Sequence, residues 1–251
     1  MATATNWLNR TGGRQDRVMR RAGNLTRVVL MLAAVALALI VKSHPGPLPN
    51  DVQIELADQH LFLPHHQLAV ALDQVSRVNW PTPAGIVVGV VFVLLLVMRR
   101  FLDALTAAGA SVFGDLSSYL TNQFVQRPRP SGHGIVVLKQ ITNYFGFPSG
   151  HVVHVVAFFG VLLFLTFQTK RWAAARWLLR VVFVLLIVLI GPSRVMEGEH
   201  WPSDVVEGLV IGGFWLLVAV HFYWWGAQHW SRLLAADEWS GDEAQDNLTL
   251  R

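Results

Sequence analysis

Residues 148–167 read PSGHVVHVVAFFGVLLFLTF, a polar turn followed at once by an apolar run from Val152 to Phe167. Ser149 is a favourable residue for capping the start of a helix, and the free amide groups of a first helical turn attract anions. The apolar run has the composition of a helix that crosses a lipid bilayer. The stretch therefore predicts a transmembrane helix whose N-terminal end can hold a phosphate group.

The whole chain is more apolar than an ordinary soluble domain. Of its 251 residues, 53% are hydrophobic and 14% are charged, whereas charged residues make up about a quarter of an average soluble domain. Five further runs, extended by flanking Thr, Trp and Arg, are candidates to span a bilayer. They are Val28 to Val41, Pro83 to Met98, Phe101 to Val125, Val181 to Pro192 and Val205 to Trp225. We therefore predict an all-α, polytopic membrane protein with six transmembrane helices.

The remaining segments complete the predicted organisation. Residues 1–27 form a basic N-terminal segment, residues 28–225 form the membrane domain, and residues 226–251 form a polar, acidic tail that we expect to be frayed or disordered. Between the first two spans, Asn50 to Trp80 mixes apolar and acidic residues at helical spacing. That pattern is typical of an amphipathic segment lying at the membrane surface.

Lysine and arginine residues predict the orientation, because basic residues near the ends of spans stay on the cytoplasmic side. Three basic groups alternate with the six spans: Arg10, Arg14, Arg17, Arg20, Arg21 and Arg27; Arg99 and Arg100; and Lys170, Arg171, Arg176 and Arg180. Both termini are then cytoplasmic, and the polar motifs face the periplasm or the exterior. We interpret the net charge of +4 as this topology signal beside anionic lipid, and we predict no nucleic-acid partner.

Neither a metal nor a cofactor is predicted. The chain has no cysteine, which excludes thiolate ligands and cysteine nucleophiles. His60, His65 and His66 are metal-ligating residue types, but Pro64 interrupts their spacing and no carboxylate falls at a matching helical offset. They are better explained as solvated residues of the surface segment.

A second polar segment, SRVMEGEHWPSD at residues 193–204, crosses from the fifth predicted span into the sixth. Pro202 suits the first position of a helix, which places Asp204 in the first turn and His200 just before it. We expect the Asp204 carboxylate to accept the Nδ1 proton of His200, so that Nε2 presents its lone pair to phosphorus. His151 is placed to protonate a leaving oxygen, and His154 lies on the same helical face. Taken alone, each residue can also be an ordinary helix-capping or interfacial residue.

Arginines supply the positive charge that a phosphate site needs. Arg129, between Pro128 and Pro130 at the outer end of the third predicted span, can bind two phosphoryl oxygens through its planar guanidinium group. Arg194 belongs to the second polar segment. Arg127 and Arg129 can alternatively hold lipid headgroups.

Together the segments resemble the signature of the type 2 phosphatidic acid phosphatases, the lipid phosphate phosphatase superfamily. That signature is Lys-x6-Arg-Pro, then Pro-Ser-Gly-His, then Ser-Arg-x5-His-x3-Asp, on six transmembrane helices. The resemblance implies that His200 is the nucleophile that becomes phosphohistidine, that Asp204 orients it and that His151 is the acid. The expected ligands of the phosphoryl oxygens are Arg129, Ser149, Gly150 and Arg194. The departure is Asn122, which stands where the family has lysine.

The missing lysine leaves three functions open. The favoured one is a metal-independent phosphatase acting at the outer face on a membrane lipid phosphate or diphosphate, of the polyprenyl, phosphatidylglycerol phosphate or phosphatidate type. In that case Arg127, Arg129 and Arg194, with Lys139, compensate for Asn122. The alternative is a catalytically weak or inactive protein of the same fold that binds lipid phosphate. Vanadate-dependent halogen oxidation is disfavoured, because the haloperoxidases with a similar site are soluble. The lipid bilayer is the expected partner, and the sequence does not indicate the oligomeric state.

Overall fold

The computed structural model describes the backbone of residues 3–139, 145–169 and 173–249, and the side chains of residues 22–139, 145–169 and 173–229. Every regular element within these ranges is helical. The helices are α1 (Thr3–Ser43), α2 (Asp51–Phe62), α3 (His66–Val78), α4 (Pro81–Val97), α5 (Phe101–Val125), α6 (Gly150–His154), α7 (Gly160–Gln168), α8 (Ala173–Met196) and α9 (Pro202–Thr249). One π-helical turn, Val155–Phe159, joins α6 to α7. The all-α prediction is confirmed for the described residues.

Four helical stretches are long and apolar enough to cross a membrane, so the predicted number of six is not confirmed. They are Ala22–Ser43, Gly150–Gln168, Ala173–Met196 and Pro202–His229. Helices α3 and α4, bent by 62° at their junction, add a fifth if they are counted as one span. Helix α5 occupies the position of the third predicted span, but its polar residues, among them Asp103, Asp115 and Asn122, lower its hydropathy.

Three sequence-based predictions concern residues that lie wholly or partly outside the described ranges. The described ranges exclude three sets of side chains: those of the basic segment up to residue 21, those of Lys170 and Arg171, and those of the acidic tail from residue 230 onward. The backbone of the tail is described, and it is helical as far as Thr249. This differs from the disorder that we expected from its composition.

The segment from Asn50 to Trp80 forms two helices, α2 and α3, rather than one amphipathic segment. Helix α2 buries the polar side chains of Asp51, Glu55 and Gln59, which lie four residues apart on one face. Its apolar residues Ile54 and Leu61 are exposed. The polar face of α2 therefore points into the protein, and its placement at the membrane surface remains a prediction.

The centre of the bundle is the continuous helical stretch formed by α6, the π-helical turn and α7. Of the residues in its most apolar part, 67% are buried, whereas the corresponding share is 11% in each of α1 and α8. Glycines let α9 approach it closely, since a Cβ added at Gly208 or Gly212 would lie 2.8 Å from the Cβ atoms of Val152 and Val156, respectively. This close packing brings the first turn of α9, which carries Asp204, next to the first turn of α6.

Candidate active site

His200 lies in the short connection between α8 and α9 and is held by a backbone carbonyl. Its Nδ1 donates a hydrogen bond to the carbonyl oxygen of Gly146 at 2.6 Å, whereas the nearest carboxylate oxygen of Asp204 is 3.8 Å away. The prediction that Asp204 accepts this proton is therefore wrong. The tautomer of His200 is nevertheless the expected one. Because a carbonyl oxygen can only accept a hydrogen bond, the proton is on Nδ1 and the lone pair is on Nε2.

The surroundings of His200 keep its imidazole neutral. Burial, reinforced by the positive charges of Arg129 and Arg194, holds the pKa of His200 well below its usual value. A neutral ring with its lone pair on Nε2 is the nucleophilic form. Nη1 of Arg129 lies 3.4 Å from this Nε2 and donates to the carbonyl oxygen of Glu199 at 2.8 Å. Arg129 therefore lies beside Nε2, the nitrogen that we predict to attack phosphorus.

Asp204 is held by Arg127 and by the start of its own helix. Its carboxylate forms an ion pair with the Arg127 guanidinium and accepts a hydrogen bond from the backbone amide of Trp201 at 2.9 Å. Arg127 is completely buried and also pairs with Asp51 at 2.9 Å and donates to Ser203 at 2.8 Å. Carbonyl oxygens of Pro45 and Gly46 accept from its remaining N–H groups, so every nitrogen of the Arg127 guanidinium is bonded within the protein.

Arg194 is also completely buried, and carboxylates occupy most of its guanidinium group. Nη1 donates to Oε2 of Glu197 at 2.5 Å and to the hydroxyl of Ser76, and Nη2 forms an ion pair with Glu199. Among the described residues, only its Nε has no hydrogen-bond partner. Arg194 therefore has one nitrogen, Nε, left to donate to a further acceptor.

Lys139, which we expected to help compensate for the missing lysine, is bound to carboxylates. Its Nζ donates to Asp73 at 2.7 Å and lies 3.4 Å from Oε1 of Glu197. It also lies 4.8 Å from the ring centre of Trp80. These contacts hold the ammonium group between α3 and Glu197.

The first turn of α6 carries Ser149, Gly150 and His151, as predicted. The Ser149 amide donates to the carbonyl oxygen of Asp204 at 3.0 Å, which joins the starts of α6 and α9. Ser149 occupies the capping position, but its hydroxyl makes no capping hydrogen bond. That hydroxyl and Nε2 of His151 are both buried without a hydrogen-bond partner among the described residues. They remain available to a polar ligand.

Asn122 has a structural role that the sequence did not reveal. Its Nδ2 donates to the carbonyl oxygens of Phe145 at 2.9 Å and Phe147 at 3.1 Å. Asn122 therefore fixes the backbone immediately before the Pro148 to His151 turn, close to the carbonyl of Gly146 that holds His200. Its amide nitrogen therefore supports the segment that forms the candidate site.

Residues outside the motifs hold the loop that carries Arg129. Gln59 of α2 donates to the carbonyl oxygen of Val136 at 2.8 Å, accepts from the Val136 amide at 3.0 Å and donates to the carbonyl oxygen of Met196 at 3.1 Å. Gly198 has a positive φ of 67°, and a Cβ there would lie 2.4 Å from the carbonyl oxygen of Val136. The loop therefore closes directly onto the segment that precedes His200.

The described side chains contain no group of three or more histidines, aspartates and glutamates placed to hold a metal ion. The positive charge near His200 comes instead from Arg129 and Arg194. Guanidinium groups of this kind can stabilise the charge on a transferring phosphoryl group.

Comparisons with known proteins identify the family of the chain. A family model described as the PAP2 superfamily matches residues 100–227. The lipid A 1-phosphatase of Rhizobium etli is 33% identical over 118 residues, which are 45% of this chain and 47% of that protein. The undecaprenyl-diphosphatase of Sulfolobus acidocaldarius is 32% identical over 105 residues, 42% of this chain and 46% of that protein. The chain thus spans about half the length of the curated relatives it matches.

The fold is similar to that of a solved membrane protein. A crystal structure of a transmembrane PAP2 type phosphatidylglycerolphosphate phosphatase from Bacillus subtilis matches with a TM-score of 0.64. The match covers 78% of this chain and 95% of that chain at 18% sequence identity, so it shows the fold alone. Since the family model covers more than half of the chain, including every motif residue discussed above, the protein belongs to the PAP2 superfamily.

Proposed function

We propose that this protein is a membrane phosphatase that hydrolyses a lipid phosphate or diphosphate, at the outer face of the membrane, through a phosphohistidine on His200. The observation that carries the proposal is the state of His200. Its Nδ1 is bonded to the carbonyl of Gly146, its Nε2 faces Arg129, and its pKa is depressed by burial and by neighbouring cations. A buried, neutral imidazole beside a cation is prepared to attack phosphorus.

The first chemical step transfers the phosphoryl group to the protein. Nε2 of His200 forms a bond to phosphorus, while the bond from phosphorus to the ester oxygen breaks. The leaving oxygen takes a proton from His151, whose Nε2 is buried and without a partner among the described residues. Arg129 and the first turn of α6 hold the phosphoryl oxygens as their charge redistributes.

The second step releases phosphate. Water attacks phosphorus, the bond from phosphorus to Nε2 breaks, and His151 takes a proton from the water. The products are inorganic phosphate and neutral His200, with His151 protonated for the next cycle. The two histidines supply the nucleophile and the acid, and the arginines supply the positive charge. The proposed reaction therefore requires no metal in either step.

Purified protein in detergent gives a direct test. Release of inorganic phosphate is measured with phosphatidate, phosphatidylglycerol phosphate, a polyprenyl diphosphate and a lipid A phosphate, and phosphohistidine is sought by mass spectrometry of rapidly quenched samples. We expect turnover of at least one lipid and a phosphoryl group on His200. A phosphoryl group on another residue would contradict the mechanism, even with turnover.

A protein of the same fold that binds lipid phosphate without turnover is the second candidate. The observation that favours it is the pairing of Arg194 with Glu197 and Glu199, which leaves this arginine with little free positive charge. Lipid binding measured on vesicles, without phosphate release from any of the four lipids, would support this candidate and exclude the phosphatase.

The orientation of the site is part of the proposal. Both termini are taken as cytoplasmic and the site as external. Because the chain has no cysteine, a single cysteine at the exposed Ser131 should react with a thiol reagent that cannot cross the membrane, added to intact cells. A cysteine at Thr169 should not react. The reverse pattern would place the site in the cytoplasm.

A further inference from the structure

A polar pair, Asp115 of α5 and His154 of α6, lies beside the candidate active site and takes no part in the chemistry above. Nδ1 of His154 is 3.0 Å from Oδ2 and 3.2 Å from Oδ1 of Asp115. The hydroxyl of Ser111 donates to Oδ2 of Asp115 at 3.2 Å. The side chain of His154 is only 8% exposed, whereas that of Asp115 is 48% exposed. The carboxylate is thus held from one side and open on the other.

The surface around this open carboxylate is apolar. Its exposed neighbours on α5, within one helical turn, are Val112, Phe113, Leu116 and Tyr119. Helix α5 packs along α4 and α9, and the apolar part of α9 is a candidate membrane span. A carboxylate on such a surface is costly unless a polar group meets it, and ionisable residues at these positions usually serve a function. An ion pair that only joined two helices would not need to leave half of Asp115 open.

The pair is close to the place where the leaving group would stand. His154 follows His151 by three residues, so the two side chains lie on the same face, one turn apart. A Cβ at Gly150 would lie 3.3 Å from the hydroxyl of Ser118, so the first turn of α6 is level with that part of α5. Asp115 is three residues from Ser118, or about 4.5 Å along the helix. The alcohol part of a substrate, leaving from His151, would therefore pass within about one helical turn of Asp115.

We propose that Asp115 and His154 form a binding subsite for the alcohol half of the substrate, in which the carboxylate accepts a hydrogen bond from a hydroxyl close to the phosphate ester. This inference rests on the proposed function. A carboxylate is only an acceptor, and His154 and Ser111 hold it from the protein side. The substrate class is a lipid phosphate whose glycerol or sugar headgroup keeps a free hydroxyl. Polyprenyl phosphates, whose chains carry no hydroxyl, would fit this subsite less well.

Two substrates that differ by one hydroxyl test the inference. Lysophosphatidate carries a hydroxyl on the carbon next to the phosphate-bearing carbon, and its 2-deoxy analogue lacks it. A site built to bond a hydroxyl discriminates strongly against the analogue without one, so we expect the wild-type kcat/KM to favour lysophosphatidate by about tenfold or more. The Asp115→Leu variant should bring the ratio of the two kcat/KM values to within about twofold of one, mainly by slowing lysophosphatidate.

Two further variants separate binding from a structural effect. His154→Phe removes the partner that holds the carboxylate and should also lower the ratio, which keeps the test valid if Asp115→Leu does not fold. Leu116→Ala changes the exposed apolar neighbour of Asp115 and should leave the ratio unchanged. If the pair only joined α5 to α6, the Asp115 and His154 variants would lower turnover of both substrates equally.

The possible outcomes are distinct. A wild-type ratio near one, or a ratio that neither variant changes, overturns the subsite while leaving the phosphatase intact, because both compounds are still hydrolysed. Failure of the wild type to hydrolyse either compound or any other lipid phosphate overturns the proposed function, and the subsite with it. Turnover of a polyprenyl diphosphate alone overturns the subsite only.

Discussion

Nδ1 of His200 is bonded to the carbonyl oxygen of Gly146 at 2.6 Å, so a backbone group, and not a carboxylate, sets the tautomer of the proposed nucleophile. The carboxylate of Asp204, 3.8 Å from the same nitrogen, instead neutralises the buried Arg127. Asp204 is therefore a positioning residue for the turn around His200. This separation of roles can be tested by substitution.

The Asp204→Asn variant should lose stability more than it loses the ability to form phosphohistidine. It removes one of the two carboxylates that neutralise Arg127, and breaking a buried ion pair costs about 3–5 kcal/mol. The thermal midpoint in detergent should fall, while the phosphohistidine formed per folded molecule should persist because Gly146 still holds the ring. Arg127→Gln should behave in the same way. A variant of wild-type stability that forms no phosphohistidine would show that Asp204 acts directly on His200.

The two histidines should differ in the step that they support. His200→Ala removes the nucleophile and should abolish both turnover and the phosphoenzyme. His151→Ala removes only the proton donor, worth about 10²–10⁴-fold in rate, so a substrate with a good leaving group such as p-nitrophenyl phosphate should still form the phosphoenzyme. Rapid-quench phosphorylation of both variants measures this difference. Turnover at the wild-type rate by His200→Ala would exclude it as the nucleophile.

Asn122 should matter through its two amide hydrogen bonds rather than through the missing charge. Asn122→Ala leaves the carbonyls of Phe145 and Phe147 without their donor, at a cost of about 1–3 kcal/mol, and Asn122→Asp should be worse because it places an acceptor against two acceptors. Asn122→Lys keeps a donor, and its turnover should stay within about tenfold of wild type, which corresponds to about 1.4 kcal/mol. Thermal midpoints and kcat/KM of the three variants give the comparison. Equal stability of Asn122→Asp and wild type would contradict this role.

Glu55 should make the stability of the protein depend on pH. It is completely buried, and both of its carboxylate oxygens lack a hydrogen-bond partner among the described residues. Burial, together with the negative charges of Asp204 and Asp51, raises the pKa of Glu55 from 4.5 to about 8. The folded protein therefore keeps a proton that the unfolded chain releases above about pH 4.5.

The sign of the Glu55 effect follows from this proton. The stabilisation from Glu55 is fully present below the unfolded pKa and is lost as the pH rises through about 8. Glu55→Gln cannot ionise. The thermal midpoint of this variant, relative to that of the wild type, should therefore rise by several degrees between pH 5 and pH 8.5. The thermal midpoints of both proteins are measured across this pH range, and the variant serves as the control for all other titrating groups. A constant difference between them would show that the pKa of Glu55 is the same in the folded and the unfolded protein.

Removal of divalent metal should leave the phosphatase active. The proposed mechanism takes its positive charge from Arg129 and Arg194, so activity should survive EDTA. Vanadate should inhibit, because it can adopt the trigonal-bipyramidal geometry of a transferring phosphoryl group and bind as a transition-state analogue. Phosphate release measured with and without each reagent checks both statements. Complete loss in EDTA that Mg²⁺ restores would point to a different mechanism.

The sequence predicted the helical class and located the motif residues, because both depend on local patterns. Apolar runs predict helices, and Pro148 to His151 and Ser193 to Asp204 have fixed spacings. The partners of these residues were harder to predict. Gly146 contributes only a carbonyl, and Asp51 reaches Arg127 across 76 positions of the chain. Neither contact has a local signal. The pairing of Arg194 with Glu197, three residues later, did have one.

The number of spans was less predictable for a physical reason. Helix α5 is 25 residues long, enough to cross a bilayer. It also carries Asp115 and Asn122, whose side chains contact His154 and the carbonyls before Pro148. These polar residues reduce the apolar signal of α5, and each of them contacts α6 or the segment that precedes it. In this helix, the residues that make polar contacts therefore lower the hydropathy by which a span is recognised.

The hydrogen bonds made by α2 and α3 bear on how far the site can be separated from the rest of the chain. Asp51, Gln59 and Ser76 hold Arg127, the loop of Val136 and Arg194, respectively, yet all three precede the region that the family model matches, which begins at residue 100. A fragment or chimera limited to residues 100–227 would carry every motif residue, while two buried arginines would lose a partner and the loop would lose its anchor. Transplanting the activity would therefore require residues 51–78 to move together with the motifs.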